Sequence, residues 1–466
     1  MSLGYGEQES LGQAMFGNAE FGDLRRTARA VKTFDALRRH PGGTLPDKLA
    51  SPSALKALYR LCDCPQVTHE ALLDSLRAYT LRHISANQDV VLLIHDATEL
   101  DYSSRKSLAG QLGQIGQGHG KGFICHQVLA VDASSRGVLG LFDQILHRRV
   151  KVPKNESPKT RRERQSRESL LWITGTRHLP VGRRFVDVAD QGADSFEFLE
   201  HETRSGRTFV IRVHHARKVQ SGHDGTSPKQ TLPECASELP ELGRFTMSVQ
   251  PQKGRPGRKD ATFVVHAGPV LVHPPHFRAG NHGDQPLPLY LVRVRELDPP
   301  QGAKPVEWLL LTNEPVTTFE DAWRVISWYE SRWVVEEYHK AQKTGCQIEG
   351  LQFTDVERLE PAIAMLSAVA LTLLDLRDAS RRSDAKTRRA TQLIDRDYVE
   401  VLTVWRYGKV RLDITVHEFH LALARLGGHQ NRRHDHPPGW LVLWRGWTKL
   451  QAMLDGYQAR QRQKCG

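Results

Sequence analysis

The spacing of apolar and polar residues changes period several times along the chain, and each change predicts a change of element. Residues 1 to about 85 follow helical spacing. Asp23 can cap a helix on which Arg25, Arg29 and Lys32 recur at i, i+4 and i+7, and Ser51-Pro52 opens another over Ala54, Leu55, Leu58 and Leu61. The basic stripe suits either DNA docking or a solvated helical face.

From residue 89 the pattern becomes that of strands. Asp89–Asp96 is an apolar run ending in an acid, and 122–131 and 137–146 read as two further strands. A short helix is expected over Glu168–Thr174, then a fourth strand, Arg184–Asp190, again ending in an acid. This order is that of an RNase H-like core, in which the acids ending the first and fourth strands lie side by side; that is an analogy of fold. Residues from about 205 to 300 hold β-like runs at Thr208–Val213, Phe245–Gln250, Thr262–His266 and Leu289–Val294, broken by Gly and Pro, and read as an all-β insertion. Glu307–Thr312 returns to the core.

A helical region follows, from Phe319 to Arg377. Treated as one continuous helix, its stretch from Trp328 to Lys343 gathers Tyr329, Arg332, Glu336, Lys340 and Lys343 within an arc of about 80°. One acid among a phenol and three cations suits a phosphate chain held beside a carboxylate. Glu337 falls about 100° away, outside that arc. In the helical tail Trp440, Trp444 and Trp447 make an apolar stripe for a core or for a partner helix. The fold class expected is mixed α/β: helical unit 1–85, core 86–377 with the insertion, helical unit 378–466.

Composition narrows the picture. The 466 residues carry a formal charge of +12, which favours a polyanion, nucleic acid before membrane. Nine Lys/Arg against Glu156 and Glu163 fall between Arg148 and Arg167. The apolar run Ala362–Leu374 is too short to span a bilayer and reads as a buried helix, and Met1–Glu7 has no signal-peptide pattern. Six scattered cysteines make no zinc spacing and suit free thiols in a reducing compartment, so a cytoplasmic protein is expected. The glycine-rich 116–122 lacks phosphate-loop spacing, and His417-Glu418-Phe419-His420 is one residue short of a zinc-protease helix motif.

Asp96, Asp190 and Glu336 are the candidate metal ligands. Hard divalent cations take carboxylate oxygens, and two such ions can serve phosphodiester chemistry. An acid ending a strand can equally be a cap, and Glu99, Asp101, Asp187, Asp194 and Glu337 compete as neighbours.

Taken together, several blocks resemble the DDE transposases of the bacterial insertion-sequence-four group. They are Phe21–Arg29, Asp96-Ala97-Thr98, Ala189–Asp194, Trp308–Thr312 with Glu314-Pro315, Tyr329-x2-Arg332-x3-Glu336-x6-Lys343, Ala424–Gly428 and Trp444-x2-Trp447. The resemblance implies a metal-dependent cut-and-paste enzyme that nicks, forms and opens a hairpin, and transfers strands at terminal inverted repeats. It implies Asp96, Asp190 and Glu336 as catalytic ligands of Mg2+, with Mn2+ as substitute. Tyr329, Arg332, Lys343 and with them Lys340 are implied as phosphate contacts, Trp308 as the stacking partner of a flipped base, and Arg212, Arg25, Arg26 and Arg29 as DNA contacts. The implied partners are double-stranded DNA, both transposon end and target, and a second copy in a synaptic dimer through the C-terminal unit, with no membrane; the implied setting is the bacterial cytoplasm, at the nucleoid when bound to DNA. The alternative is a catalytically silent end-binding derivative. Departures are His214 and Ala97, where relatives carry a lysine and a hydroxyl residue, and the basic 148–167 stretch, which is more acidic in relatives.

Overall fold

The computed structural model describes residues 10–465 apart from 50, 88, 154, 181–182, 250, 252–255, 276–281 and 433–436. The Met1–Glu7 segment read for targeting, and Gln250 at the end of one expected strand, lie outside the described residues.

Four helices come first: α1 (Leu11–Phe16), α2 (Leu24–Arg39), α3 (Leu45–Leu49) and α4 (Pro52–Cys62). Their starts are chemical. The Asp23 carboxylate accepts from the Arg25 amide, and the Ser51 hydroxyl from Ala54, with Pro52 supplying the preset φ of a first helical residue. α2 buries Ala30, Val31, Phe34 and Leu37 and leaves Arg25, Arg29 and Lys32 in solvent. α5 (His69–Ala86), capped by Thr68, lies against the sheet: Thr80 donates to the Leu141 carbonyl at 2.9 Å and Arg77 reaches Asp143 at 3.3 Å. Gly140 allows this approach, since a Cβ there would fall 2.2 Å from the Thr80 hydroxyl.

The core strands are β1 (Val91–Asp101), β2 (Lys121–Asp132), β3 (Val138–His147), β4 (Phe185–Ala189) and β5 (Thr208–Arg212). They stand in the order β3-β2-β1-β4-β5; β1, β2 and β3 are antiparallel neighbours, and β4 and β5 run parallel to β1. Between β3 and β4 lie α6 (Pro158–Glu163) and α7 (Leu171–Thr174); α8 (Phe196–Arg204) follows β4. The helix expected over 168–174 is a 3-10 turn at Glu168–Leu170 leading into α7.

Two expectations for the insertion are corrected. Thr208–Val213 was expected within it, but β5 pairs parallel with β4 and belongs to the core sheet. Nor is the insertion all β. β6 (Lys218–Ser221) is followed by helix α9 (Leu232–Glu238), which the Thr231–Glu234 capping box starts, and then by β7 (Glu241–Val249), β8 (Arg258–Val272) and β9 (Leu287–Glu296). β10 (Glu307–Thr312) joins β9 to β5, so insertion and core form one continuous sheet. Burial on both faces of the joining strands makes the seam part of the core: Leu291, Val292, Leu310 and Leu311 are fully buried.

Helices α10 (Phe319–Glu330), α11 (Trp333–Lys340) and α12 (Val356–Arg381) follow. α12 extends the run Ala362–Leu374 at both ends, so that the helix, unlike the run, is long and apolar enough to cross a membrane; its most apolar window is 89% buried inside the molecule, the buried helix expected there. α13 (Arg396–Tyr407), α14 (Val416–Leu426) and α15 (Trp440–Cys465) complete the chain. The tryptophan stripe serves this core: Trp440, Trp444 and Trp447 are buried, and the Trp440 indole donates to the Leu373 carbonyl of α12 at 2.8 Å. α14 and α15 meet backbone to backbone. A Cβ on Gly446 would fall 2.0 Å from the Leu423 carbonyl, and one on Gly427 2.0 Å from that of Val442.

Gly446→Ala is therefore expected to push α15 off α14 at a cost of about 1–3 kcal/mol, the range for overpacking. Chemical denaturation followed by tryptophan fluorescence checks this. An unchanged or raised midpoint contradicts the contact.

Candidate active site

Strand register brings the first two acids together. β1 and β4 pair in parallel up to His95 opposite Ala189, so the next residues, Asp96 and Asp190, emerge side by side where β4 ends. A fully buried bond of 2.7 Å between His95 Nε2 and Asp187 Oδ1 ties the two strands just before that point. Burial pushes the His95 imidazole down to about 4 and the Asp187 carboxyl up to about 6, while Arg207 beside Asp187 opposes the second shift. Arg207 also bonds Glu202, whose carboxyl burial and the Asp187 charge push up to about 8.

The third acid arrives from the helical region, which is not the single helix expected. α10 ends at Glu330: the Ser331 amide is shared between the Ser327 and Trp328 carbonyls, and the Ser331 hydroxyl adds a second bond to Ser327, a back-bond that bends helices. Arg332 and the following amides then close on carbonyls three residues back, a tight joint before α11. After Lys340 the chain widens into a π-turn, Ala341–Gly345, closed by Cys346 N–H to the Ala341 carbonyl at 2.7 Å. The common arc drawn through Tyr329, Arg332, Glu336, Lys340 and Lys343 is therefore bent at both ends.

The joint aims Arg332 into the site. Its guanidinium donates to Asp96 Oδ2 and to Glu336 Oε1, each at 3.0 Å. Asp96 also accepts from the Ala97 amide at 2.8 Å, and Asp190 caps the turn after it through the Gly192 amide at 2.8 Å. Burial pushes the Asp96 carboxyl up to about 6; Arg332 opposes the shift, and the Asp190 and Glu336 charges add to it. The Asp190 and Glu336 charges thus both reach Asp96. Their competitors are engaged elsewhere. Glu99 binds the Gly116 amide and Asp101 the Ser103 turn. Asp187 faces His95, Asp194 pairs with Arg217, and Glu337 pairs with Arg377.

Three hard oxygen donors around one cation are the donor set of Mg2+ or Mn2+. The guanidinium of Arg332 lies between two of these acids, Asp96 and Glu336, and it is bulkier than a metal ion. In keeping with that, no three acidic, histidine or cysteine side chains among the described residues stand close enough to share one ion. The chemistry of the site fits a divalent cation; its spacing fits the arginine.

Around the carboxylates, Trp308 on β10 meets Tyr329 edge to face at 5.6 Å. Burial raises the Tyr329 hydroxyl, and Arg332 and Arg212 beside it oppose the shift. Trp308, Arg212 and Trp333 border a cavity of about 1100 Å3. Trp333, which periodicity does not single out, is 55% exposed with Arg332 over its ring. Lys340 is exposed, and Lys343 pairs with Glu349 at 3.4 Å. Arg25, Arg26 and Arg29 line a separate cleft of about 390 Å3 between α2 and α4. Lys56 and Arg60 complete it. Their i, i+4 spacing was the available signal, masked by the apolar stripe of the same helix.

The Asp96 carboxyl is expected to titrate near 6 instead of near 3.8, and higher still in Arg332→Gln. Because the folded value lies above the unfolded one, ionising Asp96 costs stability as pH rises from about 4 to 6. Carboxyl 13C NMR assigned with Asp96→Asn reads the midpoint; a value near 4 in both proteins contradicts the geometry.

Residues 9–67 match the family model described as Transposase DNA-binding. The match ends just before Thr68, the cap of α5. Across 95% of its length the chain also has a weak likeness to a piggyBac transposase synaptic complex with hairpin DNA, at 9% identity and a TM-score of 0.33, covering 83% of that chain. The matched residues include α2, which carries Arg25, Arg26 and Arg29, and α4, which faces it across the cleft.

Proposed function

We propose that the chain is a DDE transposase of the insertion-sequence-four kind, which cuts double-stranded DNA at terminal inverted repeats and joins the freed ends to target DNA. The observation that carries the reading is the convergence of Asp96 and Glu336 on Arg332, with the Asp190 charge felt at both Asp96 and Arg332. The strand order β3-β2-β1-β4-β5, with β1 and β4 parallel, supports an RNase H-like core.

Asp96, Asp190 and Glu336 would hold Mg2+, or Mn2+ in its place. When bound, such an ion supplies positive charge to the phosphodiester and makes an attacking water or 3′-hydroxyl more acidic. The remaining work is positioning. Arg332, Lys340 and Lys343 hold backbone phosphates, and the buried Tyr329 fixes the Arg332 side of the site. Trp308, at the border of the large cavity, takes a base out of the stack during hairpin formation, offsetting a cost of about 1–3 kcal/mol per base. Arg212 steadies the strand beside it. The cleft of Arg25, Arg26 and Arg29 reads the end, and the C-terminal helices carry the synaptic dimer. The setting is the bacterial cytoplasm.

One observation favours a second reading. Arg332 spans two of the three acids, so a chain in which it never lets go would bind ends without cutting them.

Incubation with DNA that carries the inverted repeats flanking the gene tests both. Mg2+- or Mn2+-dependent nicking is expected, falling to background in Asp96→Ala, Asp190→Ala and Glu336→Ala with DNA binding kept. Cleavage at the wild-type rate by any of the three sinks the triad. A salt-sensitive gel shift with no cleavage under either metal selects the silent end-binder.

A further inference from the structure

The segment between β3 and α7 carries much of the chain's charge. Its nine Lys/Arg against two Glu give a net +7 of the chain's +12 within residues 148–167. A run of this kind is ordinarily a solvated surface, so its placement and its pairing decide whether it does more.

Its placement is fixed by arginines. Arg149 makes two hydrogen bonds to Glu168, the shorter at 2.5 Å, and donates to the Gly116 carbonyl at 3.3 Å. Gly116 in turn donates to Glu99, three residues beyond Asp96 on β1. At the other end Arg167 makes a two-pronged pair with Glu197 of α8, at 2.9 and 3.0 Å. The chain then enters α7, whose Trp172 lies so near Gly192 that a Cβ there would be 2.6 Å from the indole. Gly192 is the residue that the Asp190 carboxylate caps. The strap is thus tied to the loops beside both Asp96 and Asp190. Its N-terminal end leaves the sheet at β3, on the β2–β3 side of those acids, and its C-terminal end is held by α8, whereas Arg212 and Trp308 stand on the β5–β10 side.

Its pairing leaves charge over. Both internal acids are used within the strap, Glu156 by Arg164 at 3.5 Å and Glu163 by Lys159 at 4.0 Å. The anchors Arg149 and Arg167 use acids from outside it. Lys151 and Arg161 are exposed, with no carboxylate within ion-pair distance among the described residues, and Lys159 has only its long contact. Val150 and Val152 flank Lys151, 54% and 45% exposed, an extended alternation of cation and apolar side chain with nothing over it.

We infer that residues 148–167 form a second DNA-backbone contact, separate from the α2–α4 cleft, which holds duplex on the far side of the carboxylates from Trp308 and without regard to sequence. Cations on an extended strap meet phosphates and carry no base readout of their own. This contact rests on the transposase reading for its place in a reaction, and on the strap's geometry for its existence.

The test is binding of the full-length protein to two duplexes of equal length, one with the inverted repeat and one without, across a salt series. The triple variant Lys151→Gln, Lys159→Gln, Arg161→Gln leaves every anchoring arginine in place. It is expected to weaken binding to both duplexes and to lower the slope of log K against log salt by about 1 per lost contact, up to about 3. The charge-keeping variant Lys151→Arg, Lys159→Arg, Arg161→Lys retains both. Unchanged slopes on both duplexes overturn the inference, and so does a loss confined to the repeat-bearing duplex, which would make the strap part of end recognition. Neither arm needs cleavage, so a wild-type protein that never cuts would sink the transposase reading and leave this one standing.

Discussion

One guanidinium organises the candidate site. Arg332 holds Asp96 and Glu336 at the same distance, 3.0 Å, and draws on Asp190 through space. Without it, three carboxylates from different parts of the chain would face one another in a half-buried cleft, and their repulsion would oppose the fold that brings them together. The register of β1 against β4 supplies two of those acids and the tight joint between α10 and α11 supplies the arginine with the third. The fold therefore builds a place for positive charge and, left alone, fills it with its own side chain.

That arrangement links structure to chemistry without extra parts. The bridge from Arg332 keeps Asp96 and Glu336 facing one another across a spacing set by the guanidinium. Under the proposed function Asp96, Asp190 and Glu336 would hold a metal ion, and the guanidinium so released would be free for a DNA phosphate, a partner that arginine favours. Trp308, Arg212 and Arg332 gather around Tyr329, and the cleft between α2 and α4 is a separate one.

Much of this was legible in the sequence, where local rules govern. An apolar run ending in an acid places Asp190 just past the end of β4, but Asp96 does not end its strand: β1 continues to Asp101, paired with β2 throughout, and Asp96 meets Asp190 because β4 stops beside it. The Asp23 and Ser51 caps are equally local. Helical period separated Glu336 from Glu337, and Glu337 indeed turns away to Arg377. Illegible features depended on partners distant in the chain. Nothing near Thr208–Arg212 says that it runs parallel to β4 as a core strand, and nothing near β10 says that it zips insertion and core into one sheet. The break at Ser331 comes from a hydroxyl bonding its own helix, an outcome that competes closely with plain helix. The tryptophan stripe of α15 read equally as core or interface, and only the position of α12 decided it.

The central claim is that Arg332 keeps a cation site for metal. Diffraction from crystals of the protein bound to repeat-bearing DNA and soaked in Mn2+, collected at the manganese edge, tests it most directly. The account predicts an anomalous peak ligated by Asp96, Asp190 and Glu336, with Arg332 turned onto a phosphate. No manganese among these carboxylates, with Arg332 still bridging Asp96 and Glu336 on bound DNA, would contradict it.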